Sequence, residues 1–406
     1  MTAARDSGAA GGGRWLTPAR LVMAAFFLQA VVLNNWFPRI PDIQSALGIG
    51  PAELSLALLG MPIGGFIATM LSGRIIERLS ARRAMMGAFV VFAVMQLLPG
   101  WAWNVPSLFV ALLLMGLSYV IMDVAANVEA TRIQAELGRR ILSTCHGFWS
   151  LGSMLGLVVG SAFAEFGVET RWHLLIVQLL VAPVGVWVAS RLPFFTTDRE
   201  PGALRAPVIS LPTLSMAGLC IFAFGVILGE LTTRNWGAVY LQDVVGASPA
   251  GTGVGFAAFS IGMVVFRLLG DRLADRYGPV ALGRFCAAMA ILGVGAVVFA
   301  GNLPIAIAGL ALLGVGVSVG FPLVVSAAAS LKERTPAANV AALSLVAYSS
   351  TIVGPPLVGF VAESGGLRVG LAAILPLMIL SALFAGSLRR NGPRPRNEPV
   401  PAFPAD

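Results

Sequence analysis

Long apolar stretches alternate along the chain with short polar connections that carry most of its charge. A helix that crosses a bilayer needs about 20 mostly apolar residues. Twelve runs meet that length, near 18–41, 52–73, 84–103, 106–128, 142–165, 172–192, 211–234, 249–270, 280–301, 304–329, 339–363 and 367–388. The pattern predicts an all-α membrane protein with twelve transmembrane helices. Apolar residues make up 57% of the chain and charged residues 11%, against about 25% charged in a soluble domain. A soluble protein would also spread charge over every surface helix, whereas here it gathers between the apolar runs.

The chain repeats itself. A shift of 198 residues lays Gly48 on Gly246, Pro51 on Pro249, Gly64 on Gly262, Arg74 on Arg272 and Arg78 on Arg276. The same offset pairs Asn104 with Asn302, Pro106 with Pro304, Gly116 with Gly314, Gly156 with Gly354 and Glu165 with Glu363. A constant offset over that distance marks a tandem duplication. Each copy holds six helices, an even number, so both copies share one orientation in the membrane. The expected division is a tail at 1–17, one six-helix bundle at 18–192, a polar linker at 193–210, a second bundle at 211–388 and a tail at 389–406. The Gly- and Ala-rich first segment predicts disorder. The first apolar run is too long for the core of a signal peptide and is expected to stay as a span.

The formal net charge of +8 raises nucleic acid as a partner, but its distribution argues against one. With the N-terminus placed in the cytoplasm, 23 of the 27 Lys and Arg residues fall on that side. Arg39, Arg171, Arg234 and Arg368 fall on the other. This positive-inside bias predicts two cytoplasmic termini. The three cysteines, Cys145, Cys220 and Cys286, lie within predicted spans without metal-ligand spacing. Two histidines, His146 and His173, are too few for a His-based metal site, and no Walker loop for ATP is present. No catalytic constellation, cofactor or metal is expected.

Two parallel six-helix repeats resemble the two halves of the major facilitator transporters. Further motifs carry that resemblance. The connection after the second run reads Gly73-Arg74-Ile75-Ile76-Glu77-Arg78-Leu79-Ser80-Ala81-Arg82-Arg83, which resembles the family's gating motif. Its second copy reads Asp271-Arg272-Leu273-Ala274-Asp275-Arg276-Tyr277-Gly278. A carboxylate at a helix end can pair with Arg or with a facing helix N-terminus and so latch a gate. The fourth run carries Asp123-Val124-Ala125-Ala126-Asn127 and the first carries Asn34-Asn35. Together these resemble the fucose–proton symporter branch. Where that branch has an acid three residues after its Asn pair, this chain has Pro38.

Acids inside spans are functional candidates because they are costly to keep there. Asp123 is the first candidate for proton coupling; a structural ion pair with Arg132 or Arg140 is the alternative. Glu230 is the second, four residues before Arg234 and so able to pair with it along one helix. His146 is the third titratable candidate. Asn34, Asn35 and Asn127, with the aromatic Trp149, Trp236 and Tyr348, are the candidates for solute contact. The Gly152, Gly156 and Gly160 series suits close helix packing, and its spacing from Gly147 resembles the antiporter signature of this helix. The reading is a monomeric secondary transporter of the bacterial inner membrane, embedded in the lipid bilayer. Proton-coupled uptake of a sugar-like or other polar small-molecule solute comes first. Proton-driven export of drug-like solutes and a non-transporting sensor or scaffold are the alternatives.

Overall fold

In a computed structural model of the chain, residues 16–138, 141–193, 211–331 and 333–389 are described, and among them every regular element is a helix. The expected tails and linker fall almost wholly outside these residues. The spans are α1 (Pro18–Leu47), α2 (Pro51–Leu79), α3 (Ala81–Trp101), α4 (Val105–Leu137), α5 (Leu142–Glu165) and α6 (Thr170–Ser190) in the first half. The second half holds α7 (Ala217–Asp243), α8 (Pro249–Tyr277), α9 (Pro279–Val298) and α10 (Leu303–Ala329). A final helical run over 338–388 is interrupted at Gly366, whose φ of 78° and ψ of 163° no helix accommodates. It therefore supplies two spans, α11 (336–365) and α12 (367–388), and the described residues hold twelve.

Several helices outrun the apolar stretches that announce them. α2 continues past residue 73 to Leu79 and α8 past residue 270 to Tyr277. Hydropathy stops at the first charge, but backbone hydrogen bonding does not. In α1 the reverse happens: Pro38 lacks an amide donor, and a 3₁₀ turn over Phe37–Arg39 interrupts the helix. Helix starts follow capping chemistry with proline close behind. Asn104 accepts from the Ser107 amide at 2.8 Å, and its repeat partner Asn302 accepts from Ile305 at 3.1 Å.

Glycines set the packing. A Cβ at Gly64 would stand 1.9 Å from the Leu113 carbonyl oxygen, and one at Gly116 would stand 2.0 Å from that of Met61. α2 and α4 thus touch backbone to backbone. The second half repeats this, with Gly262 against Ala311 and Gly314 against Phe259. Gly152, Gly156 and Gly160 of α5 press on the Phe27, Val31 and Asn35 carbonyls of α1 in the same way, the close approach that small residues permit in lipid. Outward faces are apolar: Leu180 is 67% and Leu268 71% exposed, a surface suited to lipid and not to water.

The halves meet through α5 against α8 and α2 against α11. At the face opposite the termini, Glu165 of α5 accepts from the Ala250 amide that starts α8, at 2.7 Å. Glu363 of α11 accepts from the Ala52 amide that starts α2, at 3.1 Å. Adding 198 to Glu165 and subtracting it from Ala250 gives Glu363 and Ala52, the exchange that a two-fold relation between halves requires. Each carboxylate also faces the positive end of a helix dipole.

Candidate functional site

Polar side chains that the membrane would otherwise exclude collect between the halves, about midway along the helices. The first group belongs to the N-terminal half. Asp123 of α4 accepts from Gln29 Nε2 of α1 at 3.1 Å and from Asn127 Nδ2 at 3.3 Å. Asn127 also donates to the Asp123 carbonyl at 2.9 Å, as one turn of helix permits. Both partners are neutral amides, and among the described residues no cation stands within ion-pair distance of Asp123. The alternative pairing with Arg132 is not seen, and Arg140 lies outside the described residues. Tyr119 and Tyr348 lie within electrostatic range of the carboxylate.

The second group belongs to the C-terminal half. Arg234 of α7 is 7% exposed. Its Nη2 donates to Glu230 Oε1 at 3.0 Å, the expected pair along one helix. Its Nη1 crosses to the other half, donating to Asn34 Oδ1 at 2.5 Å and Ser153 Oγ at 3.0 Å. The guanidinium sits over the Trp149 ring, 5.4 Å from its centre, a cation–π arrangement. Trp149 Nε1 donates to Tyr119 Oη at 2.9 Å. One aromatic side chain therefore joins the Arg234 group to the neighbourhood of Asp123. Arg267 of α8 donates through Nε to the Ser318 carbonyl at 3.1 Å, where α10 is broken at Val319. It lies within electrostatic range of Glu230, of Arg234 and of His146 in the other half.

The structure brings some expected residues together and separates others. Asn34 meets Arg234, not Asp123, and Asn35 turns back to its own helix, donating to the Val31 and Val32 carbonyls at 3.0 and 2.6 Å. Gln29, which sequence reasoning passed over, is the amide of the first helix that stands beside Asp123. Trp236 is fully buried among core residues, away from the polar groups above. Tyr348 of α11 reaches the other half, its Oη 3.9 Å from the position a Cβ would occupy on Gly65. His146 is exposed, its ring edge-on to Phe26 at 5.3 Å between centres.

At the termini side, the paired connections end α2 and α8. Ser80 holds φ 71° and ψ 154°, and its repeat partner Gly278 holds φ 84° and ψ 153°. That region is essentially reserved for glycine, so the Ser at position 80 is strained. Arg82 Nη2 donates to the Ser190 carbonyl that ends α6. Gly73 has open space around it, Arg276 lies over Tyr277 at 5.3 Å, Glu77, Arg78 and Asp275 occupy the same helix ends, and Arg83 lies in the first turn of α3. The side chain of Asp271 lies outside the described residues. Glu129 of α4, unremarked in the sequence, is buried within electrostatic range of Arg82 and Arg132.

Twelve apolar helices in two repeats around a polar centre define a multi-pass membrane transporter. The Major Facilitator Superfamily model matches residues 22–232 and 211–405, so the chain belongs to that superfamily, whose members are not enzymes. It is 31% identical over 376 residues to the uncharacterized transporter y4wD of Sinorhizobium fredii, covering 91% of this chain and 99% of that one. Among solved structures, the fold is similar to the nucleoside transporter NupG, with TM-score 0.71, 17% identity and 92% and 98% of the two chains covered. It is also similar to a point variant of the Escherichia coli fucose:proton symporter FucP, with TM-score 0.61, 16% identity and 93% and 100% covered.

Proposed function

We propose that the protein is a proton-coupled secondary transporter that takes up a small polar solute by alternating access across the bacterial inner membrane. It acts as a monomer with both termini in the cytoplasm, because one chain supplies both walls of the cavity. The observation that carries the reading is the Asp123 carboxylate, held between the Gln29 and Asn127 amides without a cation. An acid near a span centre costs about 2.5–3.5 kcal/mol to insert. An ion pair would fix it in one charge state, whereas neutral amides leave it able to gain and lose a proton. Asn127, Trp149 and Tyr348 stand where solute would contact the same neighbourhood, so solute and proton share one site.

Alternating access needs contacts that form and break. Four hydrogen bonds between the halves lie at the cavity or at the face opposite the termini, from Arg234 to Asn34 and Ser153, and from Ala52 and Ala250 to Glu363 and Glu165. With the termini in the cytoplasm, they hold the outer side shut. Opening outward breaks them, and the basic connections at Gly73–Arg83 and 271–278, with Glu77 and Asp275, latch the opposite side. The test uses proteoliposomes with an imposed pH gradient. Asp123→Asn abolishes gradient-driven accumulation and leaves solute exchange largely intact. Normal accumulation with normal pH dependence in that variant would make Asp123 structural and Glu230 the next candidate.

A further inference from the structure

We infer that the solute carries an anionic group, a carboxylate or a phosphate, and that Arg267 receives it. The inference rests on the transport reading for its site but concerns the chemical class of the cargo. The C-terminal wall of the cavity holds two guanidinium groups and one carboxylate. Arg234 is already engaged, donating to Glu230, Asn34 and Ser153 and covering Trp149. Arg267 is held at Nε by the Ser318 carbonyl. Among the described residues neither of its Nη atoms has a hydrogen-bond partner, and the side chain is half-buried. Glu230 is shared with Arg234, so among the described residues one positive charge in this wall is left without a counter-ion. Asp123 in the facing wall is bound to amides of its own half. A guanidinium fixed at Nε presents its remaining donors as a planar fork, the shape that matches a carboxylate or phosphate with two parallel hydrogen bonds. A neutral sugar could accept hydrogen bonds from that fork but would leave its charge uncompensated when water is excluded. Trp149 and Tyr348 remain for the apolar body of the solute.

The test measures binding at equilibrium, without a gradient, to the purified full-length protein. Three matched pairs serve as probes: galactose against galacturonate, uridine against uridine monophosphate, and benzamide against benzoate. Thermal shift and tryptophan fluorescence report occupancy. The expected result is that at least one anion binds about tenfold or more tightly than its neutral partner, equivalent to about 1.4 kcal/mol. Arg267→Gln removes that preference and Arg267→Lys keeps part of it, while the melting temperature of each unliganded variant checks that it folds. Binding by none of the three anions, equal binding within every pair, or an undiminished preference in Arg267→Gln overturns the inference. Neutral probes that bind as tightly as their anionic partners would defeat the anion assignment and leave transport standing. An anion that binds but is not moved by any gradient would do the reverse.

Discussion

The two halves of this protein match in their mechanics and differ in their chemistry. Helix caps at Asn104 and Asn302, glycine contacts at Gly116 and Gly314, and interface carboxylates at Glu165 and Glu363 coincide at the repeat offset. The polar centre does not. Asp123, Gln29 and Asn127 correspond to Phe321, Ile227 and Val325 in the second half. Arg234, Glu230 and Arg267 correspond to Trp36, Val32 and Thr69 in the first. Two bundles that rock against each other need equal hinges and equal latches. A solute needs a site, and a site can be divided: the acid on one wall, the arginines on the other.

That contrast can be broken at several points. The largest effect is expected from glycine replacement, because the mechanical parts should be equally intolerant in both halves. Gly116→Val and Gly314→Val each drive a side chain into a facing backbone, and each should cost about 3 kcal/mol, read as lost thermal stability in lipid. Tolerance at one position and not the other would undo the equivalence. The interface carboxylates come next. Glu165→Gln and Glu363→Gln should each weaken the closed face by about 1 kcal/mol once solvent screening is allowed for. Combined, they should expose cysteines introduced near Ala52 and Ala250 to a membrane-impermeant thiol reagent. Unchanged labelling would reduce both contacts to incidental ones. The smallest effect concerns the one turn where the halves differ in residue but not in backbone. Ser80→Gly should stabilise the protein by about 0.5–1 kcal/mol, the relief of strain being offset in part by loss of the Ser80 Oγ cap on Arg83. Gly278→Ser should do the opposite, and equal melting temperatures for both variants would contradict the strain.

Much of this architecture was legible in the sequence. The repeat offset, the capping residues and the apolar run lengths each report a local or self-consistent property. Gly366 shows how little separates two spans: the apolar run continues, and one backbone conformation divides it. The site was legible only in part. Asp123 and the Glu230–Arg234 pair could be found because charge inside an apolar run is rare and a helix turn fixes who is four residues away. Arg267 lay inside the predicted eighth run, yet it counts naturally among the basic residues of the following connection. Its role depends on Ser318, 51 residues on, where α10 breaks. Gln29 was missed because only the packing of α1 on α4 decides which amide of the first helix reaches the acid. Trp236 illustrates the converse, since its neighbours along the chain belong to the polar centre while it is buried in the core. Glu165 and Glu363 stood out as a repeated pair, but the helix ends they bind belong to the other half.

The central claim is that the proton belongs to the N-terminal wall and the fixed charge to the C-terminal one. Infrared difference spectroscopy of the whole protein in lipid, titrated in pH, reads this directly through the protonated-carboxyl band and needs no solute. The account predicts a pH-dependent band that disappears in Asp123→Asn and persists in Glu230→Gln, whose carboxylate is held by Arg234. A band that survives in Asp123→Asn and vanishes in Glu230→Gln would contradict it.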